Sequence, residues 1–106
     1  MSAIHLIRND SKLPKITPIE KGSDIFQSGY WVIAQATANA LEGGKIFFHE
    51  KKADPSFFGG VIIKAEPVTQ GEFQGRIKFI FKPDQACKGI KTSGDGWAQE
   101  KKIIIP

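Results

Sequence analysis

The feature that most constrains this chain is the alternation Arg76-Ile77-Lys78-Phe79-Ile80-Phe81-Lys82. Successive side chains of a strand point to opposite sides of a sheet. Ile77, Phe79 and Phe81 therefore share one face, while Arg76, Lys78 and Lys82 share the other with Ile80. The spacing predicts a strand with an apolar face toward a core and a basic face away from it. Pro83-Asp84 ends it.

A second informative stretch is Gly43–Val68. Lys45–Glu50 is dominated by Ile46, Phe47 and Phe48, residues that suit a pleated, half-buried surface. Gly43-Gly44 before it and Asp54-Pro55-Ser56 after it are turn signals. Gly59-Gly60 opens a further run, Val61–Ala65, which Pro67 closes. The connection between the two strands carries His49, Glu50, Lys51, Lys52, Asp54, Ser56, Phe57 and Phe58. Its two phenylalanines read most simply as a lid folded back on the core.

The rest of the chain is short elements between punctuation. Ala3–Arg8 reads as a strand with Ile4 and Leu6 on one face and His5 and Ile7 on the other. Residues 11–24 contain Pro14, Pro18, Gly22 and Ser23 without a lasting period, and read as an irregular arm pinned by Ile16 and Ile19. Tyr30–Ile33 is a short strand after Ser28-Gly29. Gln35–Leu41, alanine-rich and free of Gly and Pro, predicts a helix of about two turns. Ala34, Ala38 and Leu41 fall on one face of it, and Gly43-Gly44 stops it. The loop Gln85–Gly96 leads to Trp97, and Ile103–Ile105 supplies a closing strand. These six strands and one helix predict a β-rich α+β domain, a small, mostly antiparallel barrel or strongly curved sheet.

Composition narrows the functional classes. With 106 residues the chain forms one domain with one core. No run approaches the ~18 apolar residues of a membrane span. MSAIHLIRND lacks a charged leader followed by a long apolar core, so a cytoplasmic protein is expected. Cys87 stands alone, which excludes an internal disulfide and cysteine-cluster metal sites. The net charge of +4 permits a polyanionic partner without requiring one.

The helix, the Gly-Gly turn, the strand IFFHEKK, the small-residue loop and the returning GGVIIKAEPV resemble the middle of an EVE-type domain of the PUA-like superfamily. Phe48-His49-Glu50 stands where that family has Tyr-His-Ser, and Gly59-Gly60-Val61-Ile62 stands for its returning strand. The resemblance covers roughly residues 28–68. The family's Tyr-Trp strand lies near the N-terminus, whereas Tyr30-Trp31 here immediately precedes the helix, and the last third of the chain does not align. What the resemblance implies is a pseudo-barrel that binds DNA or RNA and holds a modified base in an aromatic pocket.

The residue types suit that chemistry. A base held out of its stack needs flat apolar faces, a few hydrogen-bonding groups and cations for the phosphate. Tyr30, Trp31, Phe57 and Trp97 can supply faces, and His49, Ser56 and Gln99 hydrogen bonds. Lys51, Lys52, Arg76 and Lys78 can supply charge. The expected pocket lies between the Lys51–Phe58 connection and the Gly94–Gln99 loop. Each residue has a structural alternative: Trp31 as core, His49 as a satisfied buried histidine, the basic strand face as simply solvated. A protein-interaction or inhibitory module would use the same aromatics as hot spots. Glu50-Lys51-Lys52 fits half of a metal-dependent nuclease site, whose other acidic ligand only Asp24 could supply. No nucleophile–base motif and no phosphate-binding glycine loop is present. A non-enzymatic protein without a cofactor is therefore expected.

Overall fold

The computed structural model describes all residues except 1, 8–16, 19–21, 23, 52–53, 72–73, 93–96, 98–100 and 106. The strands are β1 (Ala3–Ile7), β2 (Thr17–Pro18), β3 (Phe26–Trp31), β4 (Lys45–His49), β5 (Phe58–Pro67), β6 (Ile77–Pro83) and β7 (Lys101–Ile104). The helix is α1 (Gln35–Leu41), and a 3-10 turn occupies Gln85–Cys87. The strands form one sheet in the order β2-β3-β6-β5-β4-β1-β7. All neighbouring pairs are antiparallel except β1 with β4.

The sheet is mixed and does not close on itself, yet it curls. Lys101 Nζ of β7 donates to the Val32 carbonyl, just past β3, at 2.7 Å. Residues from nearly every strand then meet inside the curl, where Ile4, Leu6, Trp31, Ile46, Phe48, Ile62, Ile77, Phe79 and Phe81 form a single core with Ala38 and Leu41 of α1.

The alternation in β6 appears as expected, with Ile77, Phe79 and Phe81 buried. The helix also matches Gln35–Leu41, and Gly43 stops it at φ 84°, a backbone region that suits glycine. Ala34 differs from expectation: it is the exposed N-cap and takes no part in the buried face.

Three boundaries move, each for a tertiary reason. β5 begins at Phe58, one residue ahead of Gly59-Gly60, so Phe58 belongs to the strand and not to the connection. A Cβ on Gly59 would collide with the Ile46 carbonyl, and one on Gly60 with the Lys82 carbonyl and the Phe81 ring. Phe58 accordingly pairs with Phe48 and packs on the core, as does half-buried Phe57. β3 starts at Phe26, opposite Phe81, and passes through Ser28-Gly29 as an irregularity in register. Ser28 is buried there and accepts from the Phe79 amide. Val32, read as strand, lies outside it and is 65% exposed. Within the arm, Thr17–Pro18 pairs with β3, while Ile16 and Ile19 lie outside the described residues.

β5 also carries a register shift between Ile62 and Lys64. Glu42, at the end of α1, reaches it: its Oε2 accepts from the Ala65 amide at 2.9 Å. The helix is thereby fastened to the sheet beside a register shift.

Candidate functional site

The outer face of the sheet divides into a covered half and an open half. On the covered half, β1, β4 and β7 place His5, His49 and Lys102 together. His5 stands opposite Phe47 on β4 and opposite Lys102 on β7. The His5 ring stacks on Phe47 with centroids 4.6 Å apart. Trp97 meets His5 and His49 edge-on, at 6.3 and 5.8 Å. Lys102 Nζ donates to Thr92 Oγ1 at 2.7 Å.

Hydrogen bonding sets the tautomers of both histidines. His49 Nδ1 lies 2.9 Å from the Asp54 carbonyl, which can only accept, so Nδ1 carries the proton. In neutral His49, Nε2 is then an acceptor, and His5 Nδ1, 2.8 Å away, donates to it. Burial first, then His49 and Lys102, hold the His5 pKa down to about 4. His5 is neutral at pH 7, and its Nε2 bears the remaining lone pair. The chain of donors ends on the backbone of the 50–57 connection and holds it against the sheet.

Ser56 secures the other end of that connection. Its Oγ donates to the Cys87 carbonyl at 2.6 Å and accepts from the Ile90 amide at 3.0 Å. Two backbone bonds reinforce the contact, Ser56 N to Ile90 O and Gly89 N to Ser56 O. Cys87 is buried over Gly59, and burial pushes its thiol pKa up.

The open half is built by β3, β5, β6 and the start of β4. Pairing register aligns its side chains in rows across the strands. Lys82, Val61 and Lys45 form one row, Ile80 and Lys64 the next, and Lys78 and Glu66 a third. Lys64 and Lys82 are exposed, while Lys45, Val61, Lys78 and Ile80 are half-buried. A shallow groove of about 260 Å³ continues from Lys78 along Glu66, Pro67, Val68, Thr69 and Gln70. At the opposite end Asp84 Oδ2 lies 3.6 Å from Lys45 Nζ.

The residues singled out from sequence scatter over this framework. His49 and Trp97 come together as anticipated for a pocket, but His49 is wholly buried and hydrogen-bonded at both nitrogens, so it offers nothing to a base. Trp31 faces the core on the other side of the sheet, 8% exposed, and cannot act as a platform. Ser56 is buried with its hydroxyl engaged. Phe57 is half-buried against the core. Lys51 is exposed, and Arg76 and Lys78 are half-buried. Lys52, Gln99 and the loop around Gly94 lie outside the described residues. Sequence reasoning passed over Lys45 and Lys64, whose only signal was which strand they would pair with.

Among the described residues no group of three or more His, Cys, Asp or Glu could hold a metal ion. No helix among them is long and apolar enough to cross a membrane. No family model, curated protein or solved structure matches the chain.

Proposed function

We propose that this chain is a non-enzymatic nucleic-acid-binding module that holds a single strand of DNA or RNA across the open half of its sheet. One observation carries the reading: the rows Lys82–Val61–Lys45 and Ile80–Lys64, next to Lys78 and Glu66, set cations beside apolar side chains on one open face. Ammonium groups meet phosphates and release counterions, while Val61 and Ile80 offer apolar contact to bases without selecting among them. Arg76 borders the face. Half-buried Trp97 lies apart from it, packed edge-on against His5 and His49 on the covered half. The PUA-like pseudo-barrel and a pocket for a modified base belong to this proposal and rest on the resemblance over residues 28–68.

Fluorescence anisotropy with labelled single- and double-stranded DNA and RNA, at several salt concentrations, tests it. Single strands are expected to bind below ~100 μM at low salt, with affinity falling steeply as salt rises. Absence of binding in that range overturns the reading. A protein-interaction module is the second reading, favoured by exposed Ile104 and Ile105 at the outer strand β7. It would bind its partner with little dependence on salt.

A further inference from the structure

Asp84 is held unusually firmly for a residue on the edge of a basic face. Its amide donates to the Gly59 carbonyl and its own carbonyl accepts from the Cys87 amide. Its Oδ1 accepts from the Ala86 amide at 3.0 Å, capping the 3-10 turn. With those contacts made, Oδ2 is delivered to Lys45, at the end of the Lys82–Val61–Lys45 row. The 3.6 Å separation is longer than the 2.7–2.9 Å of a charge-assisted hydrogen bond, and both side chains are partly exposed. Such pairs are weak and open to exchange.

We infer that the Asp84 carboxylate is a built-in competitor for the phosphate position at Lys45. An incoming phosphate takes over the Lys45 ammonium, and Asp84 stays behind, anchored by its cap. The carboxylate thus lowers the affinity of the face for polyanions and limits it to strands that also engage Lys64, Lys78 and Lys82. This inference rests on the nucleic-acid reading.

The test compares wild type, Asp84→Asn, Lys45→Met and the double variant in anisotropy titrations with a short labelled poly-dT strand across a salt series. Asn keeps an oxygen for the Ala86 amide and removes the charge; Asp84→Ser, another good cap, provides a second version. Asp84→Asn is expected to tighten binding about 2–5-fold and to steepen the salt slope by about 0.7, one further counterion on a single strand. On the Lys45→Met background it should change nothing. If wild type binds and Asp84→Asn and Asp84→Ser bind no better, the inference fails while the nucleic-acid reading stands. An equal gain with and without Lys45 also overturns it, since a general charge effect would then suffice. If no variant binds, the nucleic-acid reading fails and takes the inference with it.

Discussion

His5 Nδ1 stands 2.8 Å from His49 Nε2, joining two imidazoles 44 residues apart into a chain that ends on the Asp54 carbonyl. This arrangement needs His5 neutral, because a second proton on its ring would sit in a buried site beside Lys102. The folded pKa of about 4 lies below the unfolded 6.5, so the unfolded chain takes up the proton first. The stability contributed by neutral His5 is fully present above pH 6.5 and is lost as pH falls toward 4. Urea denaturation at pH 7 and pH 4.5 should differ by about 1–3 kcal/mol from this group. His5→Asn should flatten that dependence. An NMR titration placing His5 near 6.5 would contradict the lowering of its pKa by burial.

Phe79 is wholly buried between β3 and β5. Phe79→Ala removes a ring that its neighbours cannot replace, at an expected cost of about 3–5 kcal/mol in chemical denaturation. A cost under about 1 kcal/mol would mean the ring is not in the core.

Glu42 supplies the acceptor that the Ala65 amide needs beside the register shift in β5. Glu42→Ala should cost about 1–3 kcal/mol and speed hydrogen exchange at the Ala65 amide. Glu42→Gln, whose amide oxygen can still accept, should retain most of the stability. Unchanged exchange in Glu42→Ala would show that the contact does not hold that amide.

Phosphate contact should be localised by mutation if the open face binds a strand. Lys64→Ala and Lys82→Ala should each reduce the salt slope by about one counterion. Trp97→Ala, at a ring packed on His5 and His49 on the covered half, should leave affinity and slope unchanged if the strand lies on the open face. A slope that stays constant in both lysine variants would remove phosphate contact from the open face.

The elements legible in the sequence are those whose signals are local. Ile77, Phe79 and Phe81 declare their shared face at a period of two, and Gln35–Leu41 needs only its own composition and the glycines behind it. Ile4 and Leu6 face the core for the same reason as β6's apolar set. Position in the fold follows a different rule, because it depends on which strands pair and in what register. Gly59 and Gly60 open a strand by pattern, but only the Ile46 and Lys82 carbonyls lying against them show why no side chain fits there. Ser28-Gly29 looks like a strand boundary until the Phe79 amide reaches Ser28.

The same division runs through the candidate site. Composition and spacing determined that the chain would present a basic strand face and would carry isolated histidines and a lone cysteine. Only the tertiary structure decided that His5 and His49 meet, since the parallel pairing of β1 with β4 brings them together. It also turned Trp31 inward and lined Lys82 up with Lys45 across β5. The physical reason is that a side chain's face is set by the alternation of its own strand, whereas its neighbours are set by backbone hydrogen bonds to strands far away in the chain.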